Sequence, residues 1–292
     1  MLKRRVCHFS RSLREVRILI FESEKTIPSS RYNTSMSTVL ITGASGGIGY
    51  ELAKLFARDH HNLVLVARSA DKLAQVATEL QAHGITVNTI ALDLAAPPAP
   101  KFLFDQVQRE GVIIDVLINN AGFGIFGEFA QMPEQEILGQ IDLNIRALTE
   151  LTRLFLPAMV KRRSGRIMNV ASTAAFQPGP LIAVYYATKA YVLSFSEAIA
   201  NELRHSGVTV TCFCPGATHT DFARRAGIEN SRVFKLGAMS AEKVALDGYR
   251  AVMEGRTLAV SGVHNWVVAQ ANRLAPRKMA TAVSRWVAEK VS

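Results

Sequence analysis

The sequence predicts an α/β protein: a doubly wound parallel sheet of about seven strands with helices on both faces. Three observations carry this. From residue 38 onward, short runs rich in β-branched residues alternate with amphipathic helical stretches. The short runs are mostly apolar on both faces, as strands covered by helices on each side must be. The segments between them are long enough to be crossovers, which parallel strands require.

Strands are expected at 38–42, 62–66, 86–92, 112–118, 165–170, 207–214 and 257–260. The first helix starts near Gly47, with Ile48, Leu52, Leu55 and Phe56 on one stripe. A second covers 70–82, and His83-Gly84 supplies its C-cap. Pro97-Pro98-Ala99-Pro100 reads as a short rigid connector. A third helix begins at Pro133, with Glu134 and Glu136 against its positive end, and runs past Pro157 to Lys161. The helix bearing Tyr185 and Lys189 runs to about Ser206 and stops before Gly207. There is no internal repeat.

Composition sets further bounds. A chain of 292 residues that is 49% hydrophobic can bury a sizeable core, and α/β folds often use this length as one domain. No apolar run reaches the roughly 18 residues needed to cross a bilayer. Three cysteines are too few for a disulfide framework. Cys212 and Cys214 are expected on opposite faces of a strand, as buried reduced thiols, which fits a cytoplasmic protein. No metal site is expected: C-x-C lacks a nearby Cys or His cluster, and the seven histidines show no ligand spacing. His60, His61 and His205 fall at helix ends. The net charge of +10 divides unevenly, since residues 1–35 carry eight basic and three acidic side chains. The body is only mildly basic, which gives no case for nucleic acid binding.

Residues 1–35 read as a loosely ordered N-terminal extension. Ile18-Leu19-Ile20-Phe21 is too short for a secretory apolar region, and three glutamates argue against an organellar transit peptide. Residues 36–262 read as one α/β domain. Residues 263–292 form two basic amphipathic helices around Pro276. Packing over a pocket or a subunit contact is favoured for them over an anionic membrane surface.

The segment Thr42-Gly43-Ala44-Ser45-Gly46-Gly47-Ile48-Gly49 follows a strand and opens a helix, the context that makes a glycine pattern informative. Gly43 permits the tight turn, Gly47 lets a pyrophosphate approach the backbone, and Gly49 lets the helix pack on the strand. The free N–H groups of the helix then face the phosphates, as in a Rossmann-type fold. The next strand ends at Ala67-Arg68, about 20 residues on, where an NAD-selective site carries an acidic residue. Ala67 does not repel a phosphate and Arg68 can pair with one, so NADP(H) is expected over NAD(H).

These motifs, in this order, resemble the short-chain dehydrogenase/reductase family in its compact single-domain form, over roughly 38–260. The resemblance rests on the glycine loop, Asp93 after the third strand, Asn119-Asn120-Ala121-Gly122 after the fourth and Asn144 in a helix. It rests also on Ser172, Tyr185-x-x-x-Lys189 and Pro215-Gly216. It implies that Asp93, with Leu94, meets the adenine, and that Asn120, Ala121 and Gly122 steady the central strand and line the cofactor. Pro215 and Gly216 would border the cofactor, and Thr218 and Thr220 after them would meet the nicotinamide carboxamide. Asn144 would hold a water relaying protons to Lys189. A homo-oligomer through the helices bearing Asn144 and Tyr185 is also implied.

The chemistry of the Tyr–Lys pair can be argued directly. Hydride addition to a carbonyl creates an alkoxide that must be stabilised and protonated. Tyr185 carries a suitable hydroxyl, and Lys189, four residues on, shares its helix face. At ~4 Å and an effective dielectric near 20, the ammonium–phenolate attraction is about 4 kcal/mol, enough to lower the tyrosine pKa by as much as about three. Ser172 can hold the substrate oxygen. Tyr186 is the adjacent competitor, three residues from Lys189.

Phe123, Ile125, Phe126 and Phe129 follow the fourth strand, Phe176, Leu181 and Ile182 the fifth, and Phe222, Phe234 and Leu236 the sixth. They suggest an apolar pocket for a hydrophobic ketone or aldehyde, or the matching alcohol. His219, Arg224 and Arg225 lie in the same last segment. The leading expectation is an NADPH-dependent carbonyl reductase with Tyr185 as general acid/base. The alternatives are a non-catalytic NADP(H)-binding regulator or redox sensor, and a membrane-surface lipid or acyl carbonyl reductase.

Overall fold

The computed structural model describes residues 37–289 apart from Leu236. The readings made for residues 1–35, for Leu236 in the pocket and for the end of the chain at Lys290 lie outside the described residues.

Seven strands form one parallel sheet: β1 (Thr38–Thr42), β2 (Asn62–Ala67), β3 (Val87–Ala91), β4 (Val116–Asn119), β5 (Gly165–Val170), β6 (Val208–Cys214) and β9 (Leu258–Val260). Their order is β3-β2-β1-β4-β5-β6-β9, which reverses direction between β1 and β4. Ligands of open α/β sheets bind at such a switch point, beyond the carboxyl ends of the strands. Thr42, Asn119, Val170 and Cys214 mark those ends here. The central strands β1 and β2 are buried almost throughout, as expected for strands with helices on both faces.

Helix α1 (Gly47–Arg58) buries Gly49, Leu52, Ala53, Phe56 and Ala57. The inward stripe is thus rotated from the expected one, because Gly49, Ala53 and Ala57 let the helix approach closely while Ile48 and Leu55 lie at its margin. Helix α2 (Ala70–Gln81) is capped by the Ser69 hydroxyl, and Gly84, at φ 74°, turns the chain beyond it. The proline run is not a connector. Helix α3 (Ala99–Arg109) begins there, with Pro98 at the position before its first residue and Pro100 in its first turn. Proline is tolerated at that place because its missing N–H would have had no helical partner. The expected strand over 112–118 shrinks to β4, since Val112 still bonds back to Val107 at the end of α3. Ile114 is apolar because it is core, not because it is paired.

The helix expected from Pro133 is α4 (Glu134–Ile141), a π-helical stretch (Asp142–Ala147) and α5 (Leu148–Arg162). The π-helical stretch contains Asn144, buried within it, and such stretches concentrate at functional sites. Helix α6 (Ala183–Glu202) ends before Ser206, whose hydroxyl bonds to the Leu203 carbonyl instead. A short pair, β7 (Thr218–His219) and β8 (Met239–Ser240), brackets α7 (Asp221–Ala226) and α8 (Arg232–Lys235). Helix α9 (Ala241–Met253) packs on α1, with Tyr249 against Phe56. Helices α10 (Val263–Leu274) and α11 (Arg277–Ala288) follow β9.

Cys212 and Cys214 are buried free thiols, but they share a face, with sulfurs 3.8 Å apart. Positions i and i+2 of a strand must do so. Among the described residues no helix is long and apolar enough to cross a membrane, and no group of His, Cys, Asp or Glu is placed to hold a metal ion.

Candidate active site

Thr42 closes β1 and Gly43, at φ 68°, turns the chain. A Cβ on Gly49 would lie 2.3 Å from the Gly43 carbonyl and 2.6 Å from Asn120 Nδ2, so only glycine lets α1 start this close to the strand ends. Gly47, at φ 56°, faces Thr220, whose Cγ2 would lie 3.0 Å from an added Cβ. The segment after β6 therefore reaches back over the glycine loop. At Gly46 no atom lies within 4 Å of where a Cβ would be. Helix α1 has no side-chain cap and no acidic residue in its first turn, a condition it shares with α3, α6, α10 and α11, but α1 alone of these opens from the glycine loop at the switch point. Its leading N–H groups are left to an anion, so the loop formed by Gly43, Ser45, Gly46, Gly47, Ile48 and Gly49 fits a dinucleotide pyrophosphate.

Arg68 stands exposed just past β2. Asp93, also exposed, accepts a hydrogen bond from Ala95 N at 3.1 Å, which fixes the turn after β3. Leu94 differs in kind. Its side chain is core, packed with Leu40, Val66 and Leu117, which leaves only its backbone for a nucleotide.

Asn120 fastens two strand ends together. Its Nδ2 donates to the carbonyls of Thr42 at 2.9 Å and Gly43 at 3.3 Å. The Thr42 hydroxyl accepts from the N–H groups of Asn120 and Ala121, each at 3.0 Å. Beneath, a buried polar chain runs from Thr152 through Asn119 and Asn169 to Ser196. It ties β4 and β5 to α5 and α6 under the site. Asn169 had no signal in the sequence beyond being polar in an apolar strand.

Asn144, Ser172, Tyr185 and Lys189 converge at the ends of β4 and β5. Lys189 is buried, and its Nζ donates to the Val170 carbonyl at 2.7 Å. The same nitrogen lies 5.6 Å from the Tyr185 ring centroid. The Ser172 side chain faces the Tyr185 hydroxyl closely enough to draw its pKa down. Asn144 is 1% exposed; its Nδ2 donates to the Phe123 carbonyl at 2.8 Å and to Thr188 Oγ1 at 3.1 Å. Its Oδ1 accepts from Phe123 N at 3.1 Å. Gly122 sits between Asn144 and Lys189: an added Cβ would be 3.0 Å from Asn144 Oδ1 and 3.3 Å from Lys189 Nζ.

Two neighbours of the site were missed by the sequence reading. Thr188 links Asn144 to the Tyr185 carbonyl, which its hydroxyl meets at 2.7 Å. Gly124 lies flat on the Tyr185 ring, with an added Cβ 2.9 Å from Cγ and Cδ2. The second glycine of Gly122-Phe123-Gly124 was the available signal.

The electrostatics differ from the expected pair. Burial is the larger influence on Tyr185 and pushes its phenol above the ordinary value, with Ser172 opposing. Burial also pulls Lys189 down to about 8, with Cys212 and Cys214 opposing. Both charged forms are penalised by the same enclosure, so desolvation and not ammonium–phenolate attraction dominates in the protein alone.

Three loops close around the site. Phe126 N bonds to the Ala226 carbonyl at 3.0 Å, Gly127 N to Leu181 at 2.7 Å and Thr173 N to Pro215 at 2.9 Å. Phe222 stands 5.3 Å from the Tyr185 ring, whereas Phe129 points largely into solvent and Ile182 is core. His219, Thr220, Arg224 and Phe234 line a cavity of about 400 Å3 beside this loop. Thr218 Oγ1 bonds to the Gly216 carbonyl at 2.9 Å, and Thr220 caps α7. Helix α10 is pressed against the roof: a Cβ on Gly216 would lie 2.3 Å from Asn265 Nδ2, and Asn272 Nδ2 donates to Gln177. Burial pushes the Tyr186 phenol above its ordinary value, with Ser284 of α11 and Gln177 opposing.

The chain is similar to known proteins over this same region. A family model described as short chain dehydrogenase matches residues 37–230. The ketoacyl reductase HetN of Nostoc sp. is 40% identical over 179 residues, 61% of this chain and 62% of that protein. A very-long-chain 3-oxoacyl-CoA reductase of Aspergillus clavatus is 34% identical over 186 residues, 63% of this chain and 54% of that one. The match thus spans between about half and two thirds of these curated relatives. A solved short-chain dehydrogenase from Sphingobium yanoikuyae in complex with NADPH superposes with a TM-score of 0.74 at 35% identity, covering 82% of this chain and 94% of that one. The chain belongs to the short-chain dehydrogenase/reductase family of oxidoreductases.

Proposed function

We propose that the protein is an NADPH-dependent reductase of a hydrophobic ketone or aldehyde, able to run in reverse on the alcohol. The observation that carries this reading is the meeting of Ser172, Tyr185 and Lys189 beside a glycine loop whose helix lacks a cap. A bound nicotinamide dinucleotide supplies the hydride. The glycine loop and the start of α1 would take its pyrophosphate, and Arg68 its 2′-phosphate. Asp93 and the Leu94 backbone would meet the adenine. Pro215, Gly216, Thr218 and Thr220 would border the nicotinamide.

In this reading Ser172 donates a hydrogen bond to the substrate carbonyl, and Tyr185 gives its proton to the oxygen as the alkoxide forms. The raised pKa of Tyr185 suits this direction. It keeps the phenol protonated at neutral pH, and an alkoxide is a stronger base than a phenolate, so the transfer still runs downhill. Lys189 spends one of three N–H donors on Val170, which leaves two for cofactor and phenolate. Asn144 holds Phe123 and Thr188 and keeps one Oδ1 lone pair for a proton relay toward Lys189. The ketoacyl substrates named for two relatives, and the apolar ring of Phe222 beside Tyr185, support a long-chain or acyl carbonyl. A homo-oligomer through α5 and α6 belongs to the same reading.

The test is a panel of aldehydes, ketones and β-ketoacyl thioesters with NADPH and NADH in parallel. Carbonyl-dependent NADPH oxidation is expected. Tight NADPH binding with no turnover on any of them would favour a non-catalytic regulator instead.

A further inference from the structure

Helices α10 and α11 are amphipathic in the reversed sense. On α10 the inward residues are Asn265, Ala269 and Asn272, while Val263, Trp266, Val267 and Leu274 face out. On α11 the inward stripe is Ala280, Ser284 and Ala288, and Met279, Val283 and Trp286 face out. Leu274 is 89% exposed, and Val267, Met279, Val283 and Trp286 are each more than half exposed. Small and polar side chains against the body, with bulky apolar ones outside, mark a face made to meet something apolar.

The charge pattern identifies that something. Between Val263 and Ala288 there is no Asp or Glu, and Arg273, Arg277, Lys278 and Arg285 flank the apolar stripes, all exposed; Arg285 pairs with Glu289 just beyond, at 3.6 Å, which leaves Arg273, Arg277 and Lys278 to set the charge of the face. A second copy packed symmetrically on this face would bring Arg273, Arg277 and Lys278 toward the same three. An anionic lipid surface answers both features: acyl chains for the valines and leucine, headgroups for the cations, and the polar–apolar boundary for the two tryptophans. Neither helix is long enough to span, so the contact is with the surface. We propose that α10 and α11 dock the protein on an anionic bilayer. Helix α10 presses on Gly216 and Gln177 from inside, through Asn265 and Asn272, so the docked face adjoins the roof of the site. The proposal stands whether or not the catalytic reading does.

The chain contains two tryptophans, Trp266 and Trp286, and both lie in this face. Their emission therefore reports on it alone. The full chain would be mixed with vesicles of phosphatidylcholine, and with vesicles in which part of it is replaced by phosphatidylglycerol. Expected are a blue shift and co-sedimentation with the anionic vesicles, weakened by added salt. The triple variant R273Q/R277Q/K278Q should bind about fivefold more weakly per cation removed, on the order of a hundredfold in all. Val267→Ser with Val283→Ser should abolish the shift, while turnover of a water-soluble carbonyl is kept. Lys101→Gln, on the exposed face of α3, should bind as wild type. Equal binding to both vesicle types, or none to either, would overturn the proposal. So would a concentration-dependent dimer, lost in V267S/V283S, in a protein that ignores vesicles.

Discussion

Gly124→Ala is the sharpest probe of whether the position of the Tyr185 ring matters. The backbone at Gly124 has no left-handed φ, so alanine is conformationally allowed. The new methyl would sit 2.9 Å from Tyr185 Cγ and Cδ2 and 3.1 Å from its Cβ. Carbon–carbon contacts are comfortable at about 3.5–4.0 Å, so the ring must yield by roughly 0.6 Å or more. It cannot yield freely, with Phe222 and Tyr186 centred 5.3 and 6.3 Å away. A displacement of about 1 Å costs on the order of a hundredfold in rate, so kcat should fall about ten- to a hundredfold, or roughly 1.4–2.7 kcal/mol of barrier. Steady-state kinetics with NADPH would measure this, alongside cofactor affinity by fluorescence titration and the melting temperature. Gly127→Ala is the control, since no atom lies within 4 Å of its would-be Cβ. A G124A enzyme that folds, binds cofactor and turns over within twofold of wild type would refute the argument.

Converting Ala67 to Asp and Arg68 to Ala should invert the cofactor preference, read as the ratio of kcat/KM for NADPH and NADH; an unchanged ratio removes Arg68 from the site. Lys189→Met should weaken both cofactor binding and rate. It should also change the pH dependence of stability. The folded pKa of Lys189 is depressed to about 8, so the unfolded chain binds more protons between pH 8 and the ordinary lysine value, and stability rises with pH through that window. From pH 7 to 9.5 this contributes about 2 kcal/mol to the wild type. Urea midpoints at those two pH values should differ by correspondingly less in K189M, and equal pH dependence in both proteins would reject the buried-ammonium assignment.

Much of this was legible in the sequence because parallel sheets repeat one device. Each strand is a short apolar run, and the glycine loop, Arg68, Asp93, Asn120, Ser172 and Pro215 each follow the end of one. The seven strand positions, the glycine turn at Gly43 and the i, i+4 placement of Tyr185 and Lys189 depend on local spacing, which a sequence displays. Contacts between distant segments were not visible. Thr220 over Gly47, Gly124 on Tyr185 and the polar chain through Asn169 join residues 27 to 173 positions apart, which no local pattern encodes. The proline run misled because proline breaks a helix interior but suits its first turn, and Ala99-Pro100 alone does not say which applies. The expected fall in the tyrosine pKa failed for a different reason. Spacing gives proximity to a charge, but the degree of enclosure, which penalises both charged forms, comes only from the packed structure.

The most direct measurement is the Tyr185→Phe enzyme, assayed for carbonyl-dependent NADPH oxidation and separately for NADPH binding. The account predicts affinity within a few-fold of wild type and turnover lost. Turnover near the wild-type rate, with the cofactor bound normally, would contradict it.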